Sequence, residues 1–186
     1  MLDSFTNFVQ NAMDCWRRYR SKKLSWIAEP LVQAGIPASV VTLASFLLGL
    51  AAVFFLFQNH FLFVLFAVLH LLADALDGMV ARVAKPSRFG KYLDYASDQL
   101  ITLLLLVRIA GELQDYFVVI VILLFLAAQL VYLFSKLTAP VLFARTMVLF
   151  FLAIQQPIPA YLSAGVVALY SLAVQLRWCL ERKTRS

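Results

Sequence analysis

The sequence predicts an all-α integral membrane protein: six transmembrane helices preceded by an amphipathic helix at the membrane interface. Three observations carry that expectation. Of 186 residues, 63% are hydrophobic and only 14% charged, against about half and about a quarter in an ordinary soluble domain. The mean hydropathy is +0.85. The apolar residues gather into six stretches near the roughly 20 residues a helix needs to cross a bilayer, leaving no length for a second, soluble domain. Intrinsic disorder is excluded as well, because a chain this apolar cannot stay solvated.

The chain divides into a juxtamembrane segment, 1–30, and a six-span domain, 31–186. In the first, Leu2, Phe5, Val9, Ala12, Trp16 and Tyr19 recur at helical spacing, and Arg17, Arg18, Arg20, Lys22 and Lys23 follow at once. A stripe of this kind beside a basic run predicts a helix lying on the membrane surface. A cleavable signal peptide has its apolar stretch directly after its positive charges, so this start is expected to insert uncleaved. The spans then run from about Pro37 to Phe57, Phe61 to Val80, Tyr92 to Ile109, Phe117 to Phe134, Ala139 to Ile154 and Ala160 to Leu180. Short polar breaks join them, so neighbouring helices are antiparallel.

Charge assigns the topology, because cytoplasmic loops carry the Lys/Arg excess. The amino-terminal basic run falls on one side with Arg82, Lys85, Arg88 and Lys91 after span two, Lys136 after span four, and Arg177, Arg182, Lys183 and Arg185 at the end. Arg108 alone falls on the other, and Arg145 lies within span five. Both termini are therefore expected in the cytoplasm. The net charge of +6 reads as attraction to anionic membrane lipids rather than to nucleic acid. Cys15 and Cys179 have no CxxC partner and read as packing residues.

Chemistry concentrates where spans two and three meet. Asp74, Asp77, Asp94 and Asp98 are four of the ten acidic residues, and an ionisable group at membrane level costs at least ~2.5 to 3.5 kcal/mol by insertion scales. At about 100° per residue, Asp74, Asp77, Gly78, Ala81 and Arg82 share one face of span two, while Gly90, Asp94 and Asp98 line one face of span three. A short loop with Pro86 lets the two faces converge near the cytoplasmic surface. Four converging carboxylates repel one another unless cations intervene. Hard divalent ions such as Mg²⁺ or Mn²⁺ suit an all-oxygen ligand set, and a pair of them serves phosphoryl or nucleotidyl chemistry. Gly78 and Gly90 would let a bulky ligand approach the backbone, and Arg82 offers a cation for phosphate.

Written out, the pattern is Asp74-x2-Asp77-Gly78-x2-Ala81-Arg82-x7-Gly90-x3-Asp94-x3-Asp98, eight specified residues over 25 positions. It closely resembles the signature of the CDP-alcohol phosphatidyltransferase family, integral membrane enzymes of phospholipid head-group synthesis. The resemblance implies that two divalent metals are held by Asp74, Asp77, Asp94 and Asp98, with Asp98 also the general base. It implies that Gly78, Ala81, Arg82 and Gly90 cradle the CDP moiety and that the enzyme is a homodimer, while the charge topology puts the active site at the cytoplasmic side. The implied reaction moves a substituted phosphate from a CDP-linked donor, here a CDP-lipid such as CDP-diacylglycerol, to a small polar alcohol, releasing CMP. The alternative within the family takes a CDP-linked small alcohol and diacylglycerol.

Two departures stand out. The family usually has eight residues between the Arg and the second Gly, whereas Val83 to Phe89 are seven. Many members carry Pro-Asn near the start of the first span, followed by Thr; this chain reads Pro37-Ala38, with Thr42 further on. The residue after the last Asp, often Arg in inositol-phosphate enzymes and Lys in glycerophosphate enzymes, is Gln99, which leaves the acceptor open.

Other classes fit less well. An ion-coupled transporter could use membrane carboxylates but has no need of interleaved Gly, Ala and Arg, and aspartate-rich prenyl transferases usually separate their acidic clusters widely. Arg145, about six residues into span five, either snorkels to the surface or meets the aspartates and binds a substrate phosphate. His70 shares a face with Asp74, four residues on, and reads as a packed histidine, while His60 has no ligand spacing.

Overall fold

The computed structural model describes residues 30, 32–35, 37–83, 88–134 and 144–183, and the regular structure among them is entirely helical. The helices are α1 (Ala38–Phe55), α2 (His60–Val83), α3 (Arg88–Leu113), α4 (Tyr116–Phe134), α5 (Ala144–Ala153) and α6 (Pro157–Lys183). Four of them, α1, α2, α4 and α6, are long and apolar enough to cross a membrane. The 26-residue α3 is long enough but begins with the charged half of the motif, and α5 is described over 10 residues. The expected interfacial helix and the Lys136 loop lie outside the described residues.

Local chemistry fixes the ends. Asn59 Oδ1 accepts the Leu62 N–H at 3.1 Å and Asp115 Oδ1 accepts that of Phe117 at 2.9 Å, satisfying amides that the first turns of α2 and α4 leave open. Gln155 takes the left-handed conformation (φ 58°). Its N–H bonds Leu152 O at 3.0 Å and the next N–H, of Gln156, bonds Phe151 O at 2.8 Å, a Schellman termination. Pro157 starts α6 immediately, where a missing N–H costs nothing. The same left-handed step at Gln114 (φ 49°) ends α3. Two breaks are thus tighter than the sequence predicts: Gly111 to Leu113 and Pro157 to Pro159 are helical, since their polar and small residues are tolerated within or at the edge of a helix already nucleated. Likewise α3 starts at Arg88 rather than Tyr92.

Packing places α1 against α2 and α3, and α6 against α4 and α5, while α3 touches both groups and α5 reaches α2 and α3. The interior holds Phe63, Ile101, Leu105, Leu106, Ile109, Phe125 and Leu149, all essentially sealed. Leu47, Phe61, Ile120, Leu123, Val166 and Leu169 are exposed by half or more, an apolar coat far beyond that of a soluble monomer. Small residues set the helix approaches. On α6, Ala160, Ala164 and Ala168 are buried at four-residue spacing, and a Cβ at Gly165 would lie 3.2 Å from Val121 Cγ2 of α4.

Gly49 of α1 is tighter still: a Cβ there would stand 2.8 Å from Ile101 Cδ1 and 3.1 Å from His70 Nδ1. Gly49→Ala is therefore expected to lower the detergent-solubilised melting temperature by the equivalent of the ~1 to 3 kcal/mol typical of overpacking. Gly111→Ala, with nothing within 4 Å of the new Cβ, is expected to raise it slightly, because Ala fixes a helix interior better by roughly 0.5 to 1 kcal/mol. A fall of equal size at both positions would show that crowding around the added methyl does not set the difference.

Candidate functional site

The motif acids come from two helices at one end of the bundle. On α2, Asp74 and Asp77 are three residues apart and so about 60° apart around the axis; on α3, Asp94 and Asp98 sit on one stripe. Asp74, Asp94 and Asp98 each direct a carboxylate oxygen to one place, all within 4.8 Å of one another. Asp77 is brought to the same region but not into that group of three. It is 4% exposed, it lies against the Thr42 side chain, and its Oδ2 is buried with no hydrogen-bond partner. Thr42 is itself buried on α1 and donates to Ala38 O at 3.0 Å, which places it behind the motif helix.

Arg145, at the start of α5, reaches across to both motif helices. Its Nη2 is 2.5 Å from Asp74 Oδ2, and its Nη1 pairs with Asp98 Oδ1. The side chain is only 10% exposed and is held by carboxylates of both motif helices rather than extended to the surface. Its Nε has no partner among the described residues. The Nη1 atom also lies 3.3 Å from His70 Nε2. His70 is packed, as expected at 1% exposure, yet it also touches the site.

The electrostatics of this cluster are lopsided. Two unit charges 5 Å apart interact by about 3 kcal/mol at an effective dielectric of about 20, so several ionised carboxylates repel by more than one guanidinium can offset. The donor set is all oxygen, drawn from helices, and one buried oxygen has no partner among the described residues. Those properties fit hard divalent cations of the Mg²⁺ or Mn²⁺ kind. Backbone constraints support the presentation: Thr102 Oγ1 donates to Asp98 O and Ser97 Oγ to Asp94 O, both at 2.8 Å.

Gly78, Ala81 and Gly90 lie on the helix segments flanking the carboxylates, all half-buried. The side chain of Arg82, with those of Arg88 and Lys91, lies outside the described residues, as does Lys85. Of the polar groups near the site, Gln99 stands out by its place in the motif, whereas Tyr95 and Ser45 do not. Gln99, next to Asp98, keeps a buried Oε1 without a partner. Tyr95 donates its hydroxyl to Gln129 Oε1 and rests against Tyr132 with ring centroids 5.0 Å apart, so the polar groups of α4 face α3. Ser45, one turn beyond Thr42 on α1, holds His70; the Thr42, Ser45, Gly49 spacing is the signal that such a stripe faces another helix.

A family model described as CDP-alcohol phosphatidyltransferase matches residues 36–181. Solved structures of Mycobacterium tuberculosis phosphatidylinositol phosphate synthase share the fold. The form with CDP-DAG bound is 20% identical, with a TM-score of 0.60 and coverage of 82% of this chain and 89% of that one. The form in complex with manganese and citrate gives the same identity and TM-score, covering 82% and 85%. The apo form is 21% identical, with a TM-score of 0.56 and coverage of 81% and 91%. Among curated proteins, none matches the chain by sequence. The family match runs through every helix from α1 to α6 and through both halves of the carboxylate cluster, and the chain accordingly belongs to the CDP-alcohol phosphatidyltransferase family, as a multi-pass membrane enzyme.

Proposed function

We propose that the enzyme transfers a phosphatidyl group from a CDP-lipid such as CDP-diacylglycerol to a hydroxyl of a small polar alcohol, releasing CMP. The observation that carries this reading is the convergence of Asp74, Asp94 and Asp98 from two helices within 4.8 Å, with Arg145 between them. The similar fold solved with CDP-DAG, and the one solved with manganese, support the donor and the metal class.

In this reading Asp74, Asp77, Asp94 and Asp98 hold two divalent cations, Mg²⁺ or Mn²⁺, Asp77 through the oxygen that has no partner among the described residues. When bound, the ions supply charge neutralisation for the pyrophosphate and the departing CMP. Gly78, Ala81, Arg82 and Gly90 receive the CDP moiety. Asp98 takes the proton of the acceptor hydroxyl as its oxygen attacks the phosphorus, and the bond from phosphorus to the CMP oxygen breaks. Arg145 binds a phosphate of the acceptor, exchanging carboxylate oxygens for phosphate oxygens, either of which a guanidinium can meet with two parallel N–H bonds.

The finer architecture belongs to the same proposal. Residues 1–30 are the amphipathic juxtamembrane segment and 31–186 the six-span domain, both termini and the site lie on the cytoplasmic side with the Lys/Arg excess, and two copies associate. The outer face of α4 supports the last point. Its polar Gln129 and Tyr132 are engaged with Tyr95 inside the fold, which leaves Ile120, Leu123 and Leu130 facing outward, a surface suited to close helix packing in lipid.

The test incubates purified protein with CDP-diacylglycerol, Mg²⁺ or Mn²⁺ and a panel of alcohols, following CMP release. CMP formed with at least one alcohol is expected. Release only from a CDP-linked small alcohol with diacylglycerol would reverse the donor assignment, and ion-coupled flux without CMP would replace transfer by transport. Arg145→Ala is expected to raise the KM of a phosphorylated acceptor about 10- to 100-fold, the range for a lost hydrogen bond to a charged group. Affinity for the CDP donor should change little, and an uncharged acceptor should be indifferent. Unchanged kinetics in both Arg145→Lys and Arg145→Ala would leave Arg145 only a structural ion pair.

A further inference from the structure

We propose that His70 is a positioning residue: as a neutral imidazole with its proton on Nδ1, it holds the Arg145 guanidinium at the carboxylate cluster. The claim that this alters acceptor binding rests on the transferase reading above; the claim about the ring does not.

The hydrogen-bond chemistry fixes the tautomer. His70 Nδ1 lies 2.8 Å from the Ser45 backbone carbonyl oxygen and 3.0 Å from Ser45 Oγ. A carbonyl only accepts, so Nδ1 donates. The Ser45 hydroxyl donates to the His70 carbonyl at 3.1 Å, so the two residues bond each other in both directions across α1 and α2. On the other side of the ring, Nε2 is 3.3 Å from Arg145 Nη1. A guanidinium only donates, so Nε2 accepts and carries no proton. Both ring nitrogens are thus assigned by partners that each have a single role.

The surrounding residues are shaped for this ring. Gly49, one turn beyond Ser45, leaves the space where a Cβ would press to 3.1 Å from Nδ1 and to 2.8 Å from Ile101 Cδ1. At 1% exposure, an imidazole that served packing alone would need only apolar neighbours, and burying its two polar nitrogens would be a cost. Here both nitrogens are bonded, one of them to the cation that pairs with Asp74 and Asp98. The contact also differs in kind from the other two that Arg145 makes. Asp74 and Asp98 are charged, and cations or a substrate phosphate compete with Arg145 for them or with them for Arg145. The uncharged Nε2 acceptor does not enter that exchange, so it can keep the guanidinium in place while its carboxylate partners change.

Two variants separate this role from packing. His70→Asn puts an amide nitrogen near the position of Nδ1, keeping the Ser45 contact but leaving no acceptor for Arg145. His70→Gln puts a carbonyl oxygen near the position of Nε2. In the full chain in lipid nanodiscs with Mn²⁺, His70→Asn is expected to raise the phosphorylated-acceptor KM about tenfold, with kcat and the donor KM within about twofold, and His70→Gln to recover most of the loss. Equal losses in Asn and Gln, or no loss in either, would overturn the proposal. A second readout needs no turnover. In ¹⁵N-histidine-labelled protein, with the His60 signal removed by His60→Gln, the His70 ring should show an unprotonated Nε2 and a protonated Nδ1. The Arg145 side-chain ¹⁵N signals should move in His70→Asn and return in His70→Gln. A protonated Nε2, or Arg145 signals indifferent to both changes, would overturn it even if the chain proved to catalyse another reaction.

Discussion

Stripping divalent cations from the purified chain with EDTA is expected to abolish CMP release, and Mg²⁺ or Mn²⁺ to restore it. The warrant is charge balance. Asp74, Asp94 and Asp98 bring carboxylate oxygens within 4.8 Å of one another, and Asp77 is buried close by with an unpartnered Oδ2. Among the described side chains, Arg145 is the cation that pairs with these acids, and it meets two of them. At about 3 kcal/mol per ionised pair at that spacing, a single guanidinium leaves a net repulsion that two divalent ions would reverse. Binding energy also stabilises the folded state, by about 2.7 kcal/mol when the free ion stands at 100 times its Kd. The melting temperature should therefore rise with Mn²⁺ in the wild-type chain and rise much less in Asp94→Asn. Full turnover in exhaustively chelated protein would remove the two-metal reading, and a Mn²⁺-induced shift undiminished by Asp94→Asn would move the ions elsewhere.

Helical periodicity made the carboxylate site readable because its spacing is local: Asp94 and Asp98 are one turn apart on α3, and Asp74 lies on the facing stripe of α2. Arg145 was readable for a different reason. A charge placed that deep in an apolar stretch requires a partner, and the depth itself pointed to the aspartates. The second layer was not legible, because it depends on how α1 is rotated against α2. Nothing local to Ser45 or Gly49 says that one bonds His70 and the other makes room for it; that follows only from the α1–α2 packing. His70 shows the limit well. Its position four residues before Asp74 marked its face, but a histidine on such a face is equally consistent with filling space. The divergence of Asp77 from the other three acids has the same origin, since 60° of helix rotation sets its carboxylate against Thr42 of α1. At the helix ends, the sequence breaks at Gly111 and Pro159 looked like turns, whereas the actual reversals use left-handed Gln114 and Gln155. Glutamine carries no bias toward that conformation, so no signal announced it.

Asp98→Asn is expected to cut turnover by about 10² to 10⁴, the usual loss for a missing general base, while leaving CDP-lipid binding measurable. Asn has nearly the volume of Asp, so the packing around Thr102 and the 2.8 Å bond to the Asp98 carbonyl should persist. Arg145 also keeps Asp74, 2.5 Å from its Nη2, so its placement should survive the change. What the amide cannot do is accept the acceptor's proton. Asp94→Asn provides the contrast, one helical turn away on the same stripe: a residue whose proposed work is to hold metal should, when neutralised, weaken metal and donor binding together with turnover. Because Asp98 also stands among the metal ligands, both variants are expected to weaken donor binding, and Asp98→Asn is set apart by a kcat loss well beyond that of Asp94→Asn. If Asp98→Asn released CMP at the wild-type rate, the base would have to be another group, and Asp98 would keep only its place among the ligands and as the partner of Arg145.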